Sequence, residues 1–284
     1  MTENSQLGNL YVVGTPIGNL EDITFRAIRI LQEVDLIAAE DTRHTGKLLH
    51  HFQIATSQIS YHQHNQQSRT EELINKLQAG DNIALVSDAG MPGISDPGYL
   101  LVKEAIANGI SVVPIPGVSA SLTALTASGL NTDLFVFVGF LPVKGKARRD
   151  RLEEITRETK TIIFYEAPHR LLATLKDLEN TLGKERKIVL ARELTKVHEE
   201  FWRGNIKDAI VFYSKERQPK GEFTLIVDGN NQETEILLDE AQVKVELKQL
   251  LEQGMTRSQA SRQLAKISPL SRREIYQLFA EDEI

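Results

Sequence analysis

The chain reads as an α/β protein of two α/β domains facing each other across a cleft, with a small helical region at the C-terminus. Three observations predict this. Apolar runs of strand length, among them Leu36-Ile37-Ala38-Ala39 and Ile83-Ala84-Leu85-Val86, recur with helical spacing between them and end in polar or glycine-rich clusters. The pattern restarts near residue 130. From Asn230 onward the strand signal stops and only helical periodicity remains. The expected boundaries are therefore 1–124, 125–229 and 230–284, and rims of the same kind on both halves predict a cleft between them.

Composition narrows the classes. Hydrophobic residues make up 41% and charged residues 25% of the 284, the usual balance for a globular protein. A formal net charge of −6 argues against holding nucleic acid by bulk electrostatics, though not against a local basic patch. The absence of cysteine excludes disulfides, thiolate nucleophiles and thiolate metal sites. No apolar run reaches membrane-spanning length, and Met1 to Gly8 lack a signal-peptide pattern, so no membrane association and a cytoplasmic location are expected.

In the first half, Leu10-Tyr11-Val12-Val13 is a strand opening into Gly14 to Leu20, a glycine-bearing loop without the Walker lysine or the dinucleotide fingerprint. Asp22 is expected to cap a helix with an apolar face of Ile23, Ala27, Ile30, Leu31 and Val34. After the strand 36–39, Glu40-Asp41-Thr42-Arg43-His44-Thr45 forms a charged rim. Ile59 to Asn65 alternates like a strand, and Ser68 with Glu71 suggests a capping box. His62 and His64 lack a carboxylate at a ligand spacing, so solvated histidines and no metal are expected.

The stretch that organises this half is Val86 to Gly98, which holds three glycines, two prolines, two aspartates and two serines in thirteen residues. Connections of about 2–6 residues suffice in most α/β units, so such a loop at the carboxyl end of a buried strand is expected to meet a ligand. Asp88 and Asp96 supply charge there, and Asp96-Pro97 reads as a cap and first turn for the helix 99–106. Ser111 to Ile115 is a further strand, followed by the small-residue turn Pro116 to Ser121, whose backbone N–H groups stay open to a ligand.

In the second half, strands are expected at Leu134–Val138, Thr161–Tyr165, Ile188–Ala191 and Phe223–Val227. Glu166-Ala167-Pro168-His169-Arg170 and Arg192-Glu193-Leu194-Thr195-Lys196 end the second and third of these. The run Lys144 to Arg151 carries five cations against one anion, either a phosphate-binding surface or a solvated face. In the tail, a polar linker at Asn230–Thr234 precedes a helix from Ile236 to Glu252. Capping boxes at Thr256/Gln259 and Ser271/Glu274 flank Ile267-Ser268-Pro269-Leu270, with Arg257, Arg262, Lys266, Arg272 and Arg273 on the helices. The resulting helix-turn-helix outline suits nucleic-acid contact or a dimerising or capping tail equally.

Five rim segments together, LYVVGTPIGNL (10–20), LIAAEDTRH (36–44), SDAGMPGISDPG (87–98), FYEAPHR (164–170) and LARELTK (190–196), resemble the ribosomal RNA small subunit methyltransferase I family of the tetrapyrrole methylase-like superfamily. The resemblance covers residues 8 to 228, and more loosely the tail. It implies a homodimeric two-domain methyltransferase with S-adenosylmethionine in the interdomain cleft. The implied reaction is methylation of a cytidine ribose 2′-hydroxyl in small-subunit ribosomal RNA. The superfamily's glycine, aspartate and proline triplet is replaced here by Ser87-Asp88-Ala89-Gly90.

By position in these motifs, cofactor contacts are expected from Pro16, Asp88, Met91, Ser119, Ala120, Ala167 and Leu194, with the region before Phe223 closing over the adenine. A ribose hydroxyl needs help losing its proton. Asp41, Glu166 and Glu193 are the expected catalytic carboxylates, with His169 a neutral alternative. Arg43, Arg170 and Lys196, with Lys144, Lys146, Arg148 and Arg149, are expected to hold RNA phosphates. Competing readings are a methyltransferase of the same fold acting on a tetrapyrrole or a protein, and a non-catalytic RNA-binding assembly factor.

Overall fold

In the computed structural model, which describes residues 7–230, 240–265, 268 and 270–278, two five-stranded sheets form one compact unit that ends at Gly229. The first sheet comprises β1 (Asn9–Val13), β2 (Leu36–Ala39), β3 (Gln58–Ser60), β4 (Ile83–Val86) and β5 (Ser111–Ile115), ordered β3-β2-β4-β1-β5 and parallel throughout. Its central strands β2 and β4 read as unbroken apolar runs because both faces are covered there. Leu10, Ile83 and Leu85 face α3 (Gln66–Gln78) and α4 (Tyr99–Ala107). Val13, Ala84 and Val86 face α1 (Phe25–Glu33) and α2 (Thr42–His51). Parallel pairing sends every carboxyl end to one edge, where residues 14–20, 40–41, 87–98 and 116–119 gather.

The second sheet comprises β6 (Phe135–Phe140), β7 (Thr161–Glu166), β8 (Lys187–Arg192), β9 (Glu200–Asn205) and β10 (Phe223–Val227), in the order β6-β7-β10-β8-β9. Only β6 and β7 are parallel. One face, with Ile162, Phe164, Leu190 and Leu225, packs on α6 (Gly145–Ile155), α7 (Leu171–Leu182) and α8 (Ile206–Val211). The other, with Ile163, Val189, Ala191 and Ile226, packs on Ala124 and Leu125 of α5 (Ala120–Ser128). So α5, which leaves β5 of the first sheet, is buried on the second. The boundary drawn at 124/125 falls inside this helix.

The strand positions match the sequence reading, but several local details differ. β9 is an additional strand: Glu200 to Asn205 has only two large apolar residues, Phe201 and Trp202, and its neighbours are polar because it is a sheet edge. The first long helix is capped by Thr24, whose side chain accepts from Ala27 N, while Asp22 sits in a preceding 3-10 turn. The strand expected through Asn65 stops at Ser60. Asn65 turns back to accept from His62 N, Ser68 lies within α3, and no side chain caps that helix. At α4 the cap position is Gly98 (φ +149°), where a Cβ would stand 2.9 Å from Gly93 N, and Asp96 is left free of capping.

The second unit, from Asn230, has α9 (Glu240–Glu252), α10 (Arg257–Leu264) and α11 (Arg272–Gln277). Both expected capping boxes are present, and Val243, Leu247, Leu250, Ala260, Leu264 and Ile275 form its core. The linker after Asn230, the expected helix start from Ile236 to Asp239, and Lys266, Ile267 and Pro269 lie outside the described residues. Among the described residues no helix is long and apolar enough to cross a membrane.

The loops after β1 and β5 cross at two glycines. A Cβ on Gly14 would stand 2.7 Å from both Gly117 Cα and Met91 Sδ, and one on Gly117 2.7 Å from Gly14 Cα. A methyl group here meets backbone that cannot rotate away. Gly14→Ala is therefore expected to lower unfolding free energy in urea by about 1–3 kcal/mol, the usual range for overpacking. An unchanged midpoint would show that the crossing is not closely packed.

Candidate active site

A cavity of about 540 Å³ opens where the carboxyl edge of the first sheet meets the second. The first-sheet wall is the central loop. Thr15 and Gly90 exchange backbone hydrogen bonds of 2.9 and 3.0 Å, and Thr15 Oγ1 donates to the Ser87 carbonyl at 3.1 Å. These bonds turn the loop over the end of β4. The reversal uses left-handed backbone at Gly90 and Gly93 (φ +83° each) and at Ser95 (φ +64°), where a non-glycine residue is strained. The opposite wall is formed by Phe140, by Tyr165 to His169 at the end of β7 and just beyond it, and by Glu222 to Thr224 entering β10. The walls also touch directly. Ser121 N donates to Tyr165 Oη at 3.2 Å, and Asn19 N to Thr195 Oγ1 at 3.1 Å.

Three carboxylates line this cavity from the first sheet: Glu40, Asp88 and Asp96. Asp88 N donates to Glu40 Oε2 at 3.2 Å, and Asp41 N to Asp88 Oδ1 at 3.2 Å, so two of them are interlocked. Burial, reinforced by the charges of Glu40 and Asp88, pushes the Asp96 carboxyl up to about 7 against a hydrogen bond from Ser87. Burial also raises Glu40, with the charges of Asp88 and Asp41 adding to it while the Asp88 N–H and the charge of His44 oppose it. Partly buried like charges of this kind are stabilised by a cation. Ile17, Met91, Ile94 and Phe140 supply apolar surface around them.

A second cavity, of about 570 Å³, lies alongside and shares Ile17, Asp88, Ala89 and Glu222 with the first. It is walled by Thr15 to Gly18, by His44, Thr45, Lys47 and Leu48 of α2, and by Lys196.

Of the residues expected to bind a cofactor, Asp88, Met91, Ser119, Ala120 and Ala167 line the first cavity and Pro16 lines the second. Leu194 is buried in the apolar cluster around α5 and lines neither. None of the three carboxylates expected to be catalytic stands free in the cavity. Asp41 caps α2, and its bonds from Arg43 (2.7 Å to Nη2) hold its carboxyl well below the usual range. Glu166 is buried and turned to α7, accepting from Thr174 Oγ1 at 2.5 Å and pairing with Arg170 at 3.3 Å. Burial opposes charge on Glu193, but Glu222 N and Lys196, each at 2.9 Å, outweigh it and leave the carboxyl below its ordinary value.

The expected phosphate ligands divide similarly. Arg43 is held by Asp41, Arg170 by Glu166 and the Leu141 carbonyl, and Lys196 by Glu193 and Glu222. Arg148 is bound by Asp177, Thr174 and the Pro142 carbonyl, with its side chain 11% exposed, so it braces α6 on α7. Lys144, Lys146 and Arg149 are exposed, with no ion pair among the described residues.

The sequence reading passed over Glu40 as a site acid, and it took Asp96 as charge in the ligand loop and as a helix cap rather than as a buried, raised acid. It chose Asp41, two positions past Ala39 at the end of β2, although the Asp-Thr-Arg order is itself a capping signal.

Fold and site together define the class. Residues 9–210 match the family model for tetrapyrrole (corrin/porphyrin) methylases, and the chain belongs to that family. Among solved structures it is similar to diphthine synthase (13% identity, TM-score 0.62, covering 78% of this chain and 90% of that one). It is also similar to uroporphyrin-III C-methyltransferase from Thermus thermophilus complexed with S-adenosylhomocysteine (19% identity, TM-score 0.56, 77% and 97%). These likenesses concern the fold. Within the family, the chain is 58% identical over 277 residues to ribosomal RNA small subunit methyltransferase I of Synechocystis sp., covering 98% of this chain and 99% of the relative. It is 46% identical over 282 residues to the protein of the same name from Bacillus subtilis (97% and 95%). The chain belongs to the ribosomal RNA small subunit methyltransferase I family.

Because the Asp96 carboxyl is raised, its contribution to stability is fully present at acidic pH and is lost as pH climbs from about 4, an ordinary aspartate value, towards about 7. Asp96→Asn removes that titration. The melting temperature of the variant is expected to rise relative to the parent across this window and to level off above it. A difference constant from pH 4 to 8 would contradict the assignment.

Proposed function

We propose that this chain is an S-adenosylmethionine-dependent methyltransferase that methylates the 2′-hydroxyl of a cytidine ribose in small-subunit ribosomal RNA. The cavity between the sheets, where Glu40, Asp88 and Asp96 meet apolar walls and left-handed loop backbone, supports the donor half of this reading, and membership of the ribosomal RNA small subunit methyltransferase I family supports the acceptor half.

The residues fit the donor. The cavity, at about 540 Å³, is within the ~300–1,000 Å³ typical of small-molecule sites. The carboxylates suit a sulfonium, and Met91, Ile94 and Phe140 suit an adenine. When bound, the donor supplies a methyl group activated by positive sulfur. Asp88, Met91, Ser119, Ala120 and Ala167 would hold it. With the donor bound, the two walls would fix the approach of the acceptor, which is most of what an in-line transfer requires of a protein. The acceptor hydroxyl must also lose a proton. Asp88 is the one carboxylate of the three that lines both cavities, and we assign the proton to it.

The reading extends to a cytoplasmic homodimer, as the family resemblance implies, with Lys144, Lys146 and Arg149 on RNA phosphates. Transfer of a labelled methyl group tests it, with isolated small subunits, naked RNA, a tetrapyrrole and the protein fraction offered in parallel. Label is expected in subunit RNA, at a cytidine whose 3′ linkage becomes resistant to alkali. Label only in the macrocycle or in protein would favour the same fold acting on another substrate. No transfer and no calorimetric binding of S-adenosylmethionine would leave an assembly factor.

A further inference from the structure

The second cavity has a wall in common with the first at Ile17, Asp88 and Ala89, so a group held in one is presented to the other across that segment. Its volume of about 570 Å³ suits a single nucleotide and is far too small for a stretch of paired RNA. A nucleotide that reacts there must leave its stack, as it does in other enzymes that modify nucleotides within a helix. The lining is graded. Ile17, Leu20 and Leu48 are apolar, Asp88 stands at the wall shared with the first cavity, and basic side chains come from His44, Lys47 and Lys196.

Lys196 is not available to a phosphate, because Glu193 at 2.9 Å and Glu222 at 2.8 Å hold its ammonium. Arg43, on the same helix as His44, is tied to Asp41. His44 and Lys47 differ. They lie one turn apart on α2, their residues are exposed, and neither makes an ion pair among the described residues. The other carboxylate facing this cavity, Glu222, is occupied by Lys196.

We propose that the second cavity is the acceptor site, that it takes one nucleotide extruded from the RNA, and that His44 and Lys47 bind the phosphates on either side of it. This rests on the RNA methyltransferase reading above. The extruded base lies against Leu20 and Leu48, and its ribose hydroxyl faces Asp88. The rim contacts fix register and carry affinity, while reading of the base is left to the cavity itself.

The His44→Gln/Lys47→Gln double variant tests this with isolated small subunits at saturating S-adenosylmethionine. Loss of two phosphate contacts is expected to raise KM for the subunit by about tenfold or more, leave kcat within about twofold, and flatten the dependence of KM on salt. Donor affinity by calorimetry should not change, and Lys103→Gln, an exposed charge removed from α4, should behave like the parent. A fluorescent cytidine analogue at the target position should brighten on binding the parent protein and respond less to the variant at equal concentration. An unchanged KM, or an analogue that stays quenched while the parent still methylates it, would overturn the extruded-nucleotide site and leave the methyltransferase reading standing. No transfer to any RNA by the parent would overturn both.

Discussion

Everything at this site depends on one helix being buried on the other half's sheet. α5 follows directly from β5, yet Ala124 and Leu125 pack among Ile163, Val189, Ala191 and Ile226 of the second sheet. That apolar contact removes large aliphatic surface from water and sets the spacing of the sheets, because the chain between β5 and α5 is only a few residues long. The hydrogen bonds across the gap, Ser121 to Tyr165 and Asn19 to Thr195, are single neutral bonds of modest net value and serve to orient surfaces already held together.

The packing has an electrostatic consequence. Glu40, Asp88 and Asp96 come from two different loops, after β2 and after β4, and the parallel sheet brings both loops to the same edge. Covering that edge with the second half takes the carboxylates partly out of water, where their mutual repulsion is screened less. A site that is unfavourable for three negative charges favours a ligand that brings a positive one. The strained backbone at Ser95, Glu193 and Thr195 is found in the same region, on both sides of the gap.

Much of the fold is legible in the sequence because the central strands of both sheets are buried on both faces. Ile83 to Val86 and Phe223 to Val227 are short apolar runs bounded by turn residues, the pattern of a buried strand. The loop from Ser87 to Gly98 is legible for a different reason: its turn chemistry far exceeds what a connection needs. What fails is anything decided by competition between local and distant partners. Asp22, Ser68 and Asp96 are each plausible caps, but Thr24, Asn65 and Gly98 occupy those positions, and at α4 the close approach of Gly93 decides it. β9 is hidden by its edge position. Rim carboxylates are the hardest to rank, because whether Glu40 or Asp41 faces the cavity depends on a one-residue change of direction at a strand end. The partners that occupy Glu166 and Glu193 are likewise set by the fold: Thr174 sits on α7, and Glu222 lies 29 residues away in sequence.

The most direct test of a site shared between the halves is hydrogen exchange with and without S-adenosylmethionine. Amides of 87–91 and 119–121 from the first half should slow together with 165–168 and 222–224 from the second, each by a factor that grows with donor concentration until saturation. Slowing confined to the first-half segments, with 165–168 and 222–224 unchanged at saturating donor, would contradict a donor held between the two sheets.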